Sequence, residues 1–209
     1  MIVSIHMEKC GGTTMAGIWR EWFKARFVHL DSPDRVGREC LVKLLDGAKC
    51  VHGHCKYGDY DWLGEKLIYV AMLREPVGRC ISNYWHWANV PKAHRHYGGA
   101  KNLDDYIENE MRCNLMTRRL CGVSTDEEAD VARAIARLQT FQVVGALKRF
   151  GNYVGALASY LQKPIPPIVK RRVQNSMGNV KPTDKQLQAI ADANAKDVSL
   201  YRFAELIAP

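Results

Sequence analysis

The chain has 209 residues, 47% of them hydrophobic and 25% charged, which predicts one globular domain large enough to bury a core. A net charge of +8 favours an anionic partner (a nucleotide, an acidic polysaccharide, nucleic acid or a membrane surface), and no apolar run reaches the length of a membrane span. The seven cysteines are odd in number and form no CxxC pair, so they read as reduced thiols and not as a disulfide framework.

Residues 2–6 form a short apolar run that ends on a Gly-rich turn and predicts a buried strand. The run opens the chain without a basic n-region or cleavage site, which predicts a cytoplasmic protein or, equally compatible with the pattern, a lumenal domain without its anchor. Met15, Ile18, Trp19, Trp22 and Phe23 then make one helical stripe, with Thr13 and Thr14 as its expected caps. A strand is expected at 27–30, a helix at 35–45, a strand at 50–54, and the strongest strand of the chain at 66–73. Pro76 suits the first turn of a helix running to Trp87, and a loop rich in Lys, His, Arg and Gly follows at 91–101. Helical patterns cover 102–119 and 126–138, a strand 141–146, and a helix 152–161. Pro164, Pro166 and Pro167 break the chain before the basic run Lys170-Arg171-Arg172, and Thr183 or Asp184 caps a last helix reaching Leu206. No repeat or linker divides the chain, so residues 1–209 read as one domain. Alternating strands and helices predict an α/β protein, a P-loop-like three-layer α/β/α fold with a mainly parallel sheet.

The segment His6-Met7-Glu8-Lys9-Cys10-Gly11-Gly12-Thr13-Thr14 lies between strand and helix, the arrangement of a phosphate cradle. Adjacent glycines let backbone N–H groups turn towards one anion, and the helix N-terminus adds partial positive charge. Lys9 contributes a full charge and the threonines contribute hydroxyl donors. The lysine precedes the glycines, so this is not the GxxxxGK[ST] loop of nucleotide triphosphatases. The segment resembles the 5′-phosphosulfate loop of sulfotransferases that use PAPS (3′-phosphoadenosine 5′-phosphosulfate), especially the carbohydrate branch related to heparan sulfate 2-O-sulfotransferase. That branch reads HxPKTGGTT, matched at His6, Lys9, Gly11, Gly12, Thr13 and Thr14; Glu8 replaces the usual proline and Cys10 the usual threonine. The resemblance implies that Lys9, Cys10 (through its backbone N–H), Gly11, Gly12, Thr13 and Thr14 hold the donor.

After the strongest strand, Leu73-Arg74-Glu75-Pro76-Val77-Gly78-Arg79-Cys80-Ile81-Ser82-Asn83-Tyr84 is similar to the family's LRDPVxRxxSxY motif. By that resemblance Arg74 and Ser82 bind the nucleotide's 3′-phosphate, a task suited to the planar guanidinium fork. Between the two motifs, Val51-His52-Gly53-His54-Cys55-Lys56-Tyr57 resembles the branch's HGHxxY/F stretch, in which a histidine takes the acceptor's proton. His52 and His54 share a face of an extended strand, so either reaches the same cleft. The matching position makes His54 the expected base and His52 its helper or alternate. A zinc site from Cys50, His52, His54 and Cys55 is disfavoured, because alternate strand residues face opposite sides; no metal is expected.

The segment Asn114-Leu115-Met116-Thr117-Arg118-Arg119-Leu120-Cys121-Gly122 resembles the branch's NxxTRxLxG stretch, residues 141–161 its VGxxERFxxSLxLL unit, and residues 194–204 its NxxDxxLYxxA helix. Arg118, His94 and Arg95 are the candidate contacts to substrate. The resemblance implies a sulfuryl transfer from PAPS to an acceptor hydroxyl by in-line displacement, leaving PAP, with a carbohydrate as acceptor and an acidic glycan among the candidates. No specific nucleic-acid partner is expected. A kinase-like phosphotransferase lacks its GK[ST] and an evident Walker B carboxylate, and a polyanion-binding module lacks an aromatic-basic stripe.

Overall fold

The structure, a computed structural model, describes residues 1–88, 102–108, 113–167 and 181–209, without the side chain of Trp87. The candidate substrate residues His94 and Arg95 and the basic run at 170–172 lie outside the described residues. Five strands, β1 (Ile2–Ile5), β2 (Phe27–Leu30), β3 (Cys50–Gly53), β4 (Ile68–Leu73) and β5 (Val143–Ala146), form one sheet in the order β2-β3-β1-β4-β5, with every pairing parallel. The sheet expected from the alternating pattern is therefore present.

Strand alternation sorts the core into two layers. Ile2, Cys50, Val70 and Val143 face α1 (Gly12–Phe23) and α7 (Phe150–Leu161), where Trp19, Trp22 and Leu157 close the packing. Val3, Ile5, Val51, Ala71 and Val144 face the other way, onto α2 (Arg38–Leu45), α5 (Leu115–Cys121), α6 (Val131–Gln139) and α9 (Ala195–Ile207). Helices therefore cover both faces, as an all-parallel sheet requires. A smaller cluster of Cys80, Leu103, Tyr106 and Ile190 joins α3 (Pro76–Ala88), α4 (Leu103–Ile107) and α8 (Asp184–Ala193). Among the described residues no helix is long and apolar enough to cross a membrane.

Three expectations are corrected. The helix expected over 102–119 is two short helices, α4 and α5, with Asn114 between them at φ 50. The last helix is likewise two, α8 and α9, broken at Asn194; Thr183 does cap α8, in a capping box with Gln186. Thr13 and Thr14 do not cap α1, because the helix begins at Gly12 and its cap position is Gly11, at φ 82 without a side chain.

The strand order gives the function its address. The chain leaves β1 towards β2 and β3 on one side, and leaves β4 towards β5 on the other. Beside β1 the direction of progress reverses, and in open parallel sheets ligands bind at the carboxyl ends of the strands at such a switch point. The segments after β1, β3 and β4, which carry the three motifs, all stand at that rim.

Candidate functional site

The loop after β1 sorts its side chains into core and cleft. Met7 and Cys10 are 1% and 2% exposed and anchor the loop in the core. The Cys10 thiol is pushed up to about 12 by burial, and its backbone N–H is spent on Met7 O at 3.2 Å. Cys10 thus does not present the open backbone N–H expected from the motif, and its thiol donates to Glu8 O at 3.6 Å. Lys9 adopts a left-handed conformation at φ 64, which turns its carbonyl onto Arg74. Arg74 Nη1 donates to Lys9 O at 3.0 Å, so the segments after β1 and β4 are physically tied.

The first turn of α1 is open. Thr14 N and Met15 N both donate to Gly11 O at 3.1 Å, whereas the N–H groups of Gly11, Gly12 and Thr13 have no partner among the described residues. The turn has no side-chain cap and no acidic residue, so no group on the turn itself offsets the dipole's positive end. Gly12 is required for a second reason: a Cβ there would overlap the His6 imidazole, which lies against the turn. Ser82 is half-buried on α3, two turns beyond Pro76 and on the helix that follows Arg74. Glu8, at the usual proline position, accepts from Asn83 Nδ2 at 3.3 Å and so puts a carboxylate next to α3.

Four histidines form a column across this rim, from His54 through His6 and His52 to His29. Their ring centroids are 4.3, 4.9 and 5.7 Å apart, and successive planes lie within 24° of parallel. The parallel register sets His29 beside His52, and the bond from His6 N to Gly53 O at 2.8 Å continues the β1–β3 ladder one residue further. Hydrogen bonds give the inner members distinct roles. Trp19 Nε1 donates to Ser4 Oγ at 3.0 Å, and Ser4 Oγ in turn donates to His52 Nδ1 at 2.8 Å. His52 Nε2 donates to the carbonyl of Gly12 at 3.2 Å. Both nitrogens of His52 are therefore occupied, the residue is 2% exposed, and burial pushes its pKa down to about 3. So held, His52 has no free nitrogen for the helper role expected of it, and it fastens the start of α1 to the sheet.

His54 lies one residue beyond the end of β3 and is only partly buried. Its Nδ1 lies 2.9 Å from the carbonyl of His6, an acceptor that fixes the ring proton on Nδ1. In the neutral ring Nε2 then carries the lone pair, and it has no hydrogen-bond partner among the described residues. Burial and the neighbouring rings hold His6, stacked on His54, well below the usual imidazole range, so that ring is neutral.

Arg119 Nη1 donates to His54 O at 2.7 Å and braces the same segment, a role absent from the sequence expectations. Its neighbour Arg118, the expected substrate contact, is 7% exposed and donates through Nη1 to Ser124 O at 2.8 Å; it faces the protein and not the cleft. Two adjacent arginines on a seven-residue helix both flank the stripe of Met116, Leu120 and Cys121. Only the packing of α5 on α6 and α9 distinguishes them.

The metal question turns on ring orientation. Nitrogens of His6, His29 and His52 lie within 4.8 Å of one another. Imidazole lone pairs lie in the ring plane, so nearly parallel stacked rings aim them side by side and not at one point. Cys50 and Cys55 pack into different core layers.

A scan against models of known protein families finds no match, and a search of curated proteins finds no relative.

Proposed function

We propose that this chain is a PAPS-dependent sulfotransferase that moves a sulfuryl group to an acceptor hydroxyl, with a carbohydrate as the acceptor class. The observation that carries the reading is a convergence at one rim of the sheet. An uncapped helix N-terminus, an arginine fork tied to its loop, and a histidine with a pinned N–H and an available lone pair all stand at the carboxyl ends of β1, β3 and β4. The residues present fit the donor: the N–H groups of Gly11, Gly12 and Thr13 with Lys9 would hold the 5′-phosphosulfate, and Arg74 with Ser82 the 3′-phosphate. Bound there, PAPS supplies a sulfuryl group on a phosphate leaving group.

The protein's share of the chemistry follows from its own atoms. His54 Nε2 takes the acceptor hydroxyl's proton as the oxygen attacks sulfur, and the Nδ1–H bond to His6 O strengthens as the ring becomes positive. Lys9 and the first turn of α1 offset the charge that develops on the departing phosphate. His52 and Arg119 position the loop and the base without touching the reacting atoms. Catalysis of this kind is placement plus charge stabilisation.

The donor half is tested by thermal denaturation with PAP. PAP at 100 times its Kd should stabilise the fold by about 2.7 kcal/mol, and Arg74→Ala should remove the shift. A shift with ATP and none with PAP would replace this reading with a phosphotransferase.

A further inference from the structure

A second cleft opens at the opposite rim, at the amino ends of the strands. It has a volume of about 650 Å³ and is lined by Met1, Ile2, Trp22, Phe23, Lys24, Ala25, Arg26, Lys49, Ile68 and Lys163. Its apolar surface is Ile2, Trp22, Phe23 and Ile68. Trp22 Nε1 is already bonded to Pro164 O at 2.8 Å, so that indole offers the cleft only apolar surface. Around it stand four exposed cations, Lys24, Arg26, Lys49 and Lys163, and no Asp or Glu belongs to the lining.

A bland account is that these cations answer the negative ends of α1 and α7, which both terminate here. The magnitudes do not close. Two helix ends carry about half a negative charge each. Glu21 offsets Lys24 at 3.7 Å, and Glu65 is matched by the ammonium of Met1 at 3.5 Å. Roughly two positive charges remain uncompensated, since Arg26, Lys49 and Lys163 have no acidic partner among the described residues. A cleft with apolar, partly aromatic walls and a cationic rim, in the size range of small-molecule sites, is complementary to an anion with a flat apolar body.

We infer that this cleft is a second binding site, for a small aromatic polyanion carrying phosphate or sulfate groups on an apolar ring system. It is independent of the phosphate loop, because the length of the sheet's strands, roughly 10–13 Å, separates the two rims. The ring lies against Phe23 and Ile68, and the anionic groups reach Arg26, Lys49 and Lys163.

The probe is pyranine, a fluorescent pyrene trisulfonate, titrated into the full chain by anisotropy, with inorganic tripolyphosphate as a ringless competitor. The expected result is saturable binding that Arg26→Glu/Lys49→Glu weakens by at least about 30-fold and that Arg74→Ala leaves within about twofold. Both reversed residues are exposed, and an unchanged melting temperature verifies that the variant is folded; Lys163→Glu supplies an independent reversal. Undiminished binding in the reversed variants, or loss with Arg74→Ala, would overturn the site. Competition by tripolyphosphate as effective as that by naphthalenetrisulfonate, an aromatic trisulfonate dark at pyranine's wavelengths, would overturn the aromatic part of the assignment.

Discussion

His52 and His54 stand two residues apart in the chain and differ in what holds them. Sequence periodicity assigns both to one face of a strand, and so to the same cleft. The strand ends at Gly53, however, and the partners that separate the two residues come from Ser4, His6 and Gly12, far away in sequence. No pattern local to residues 51–58 contains that information. The distinction predicts opposite phenotypes. His54→Ala should lower sulfuryl transfer by about 10²–10⁴-fold and leave the urea unfolding midpoint close to that of the wild type. His52→Ala removes a buried ring and orphans the Gly12 carbonyl, and should cost about 2–4 kcal/mol in the same urea titration. Equal stability of the two variants would refute the fastening role of His52. Arg118 and Arg119 repeat the lesson, since only packing tells the inward arginine from the one that reaches His54 O.

At the scale of elements, α5 is seven residues long and is held by side chains from α9. Asp197, 0% exposed, accepts from Met116 N at 3.1 Å and from both Thr117 N and Oγ1 at 2.8 Å. Asn114 Oδ1 accepts from Asp197 N at 3.1 Å, and Asn194 Oδ1 accepts from Asn114 N at 3.0 Å. The motif-like residues of both C-terminal segments therefore meet in one buried lock, and Arg79 of α3 approaches its carboxylate at 4.0 Å. This lock positions Arg119 and, through it, the His54 backbone. Asp197→Ala should cost about 3–5 kcal/mol, because it leaves two helix N–H groups and the Thr117 hydroxyl without their acceptor and removes a buried negative charge 4.0 Å from the Arg79 guanidinium. A change below about 1 kcal/mol in the urea titration would contradict this account. The sequence announced the elements themselves well, because β1 and β4 are short apolar runs and α1 carries one helical stripe. It did not announce the breaks at Asn114 and Asn194, where the chain turns in order to make these bonds and helix propensity loses to tertiary hydrogen bonding.

For the whole molecule, the order of alternating strands and helices made the parallel sheet legible, and the sheet's switch point brings the three motifs to one rim. What was hidden is the histidine column, which depends on interstrand register. The column also sets the acid response of the fold. His6 and His52 are both held below the ordinary imidazole value and stay neutral when folded, whereas the unfolded chain titrates them near about 6.5. As pH falls below that value the unfolded state binds the extra protons, so stability falls by about 1.4 kcal/mol per pH unit for each such histidine. For His52 the loss continues towards its folded value of about 3. Urea midpoints should therefore be level above about pH 7 and drop between about pH 6.5 and 5; a flat profile across that window would mean that the column is not neutral. Sulfuryl transfer with His54 as base is tested by following labelled sulfate from PAPS across a panel of glycans, lipids and small alcohols, with wild type and His54→Ala side by side. Transfer to at least one hydroxyl by the wild type, and its loss in a folded His54→Ala protein, is the predicted result; no transfer to any acceptor, or equal transfer by the two proteins, would contradict it.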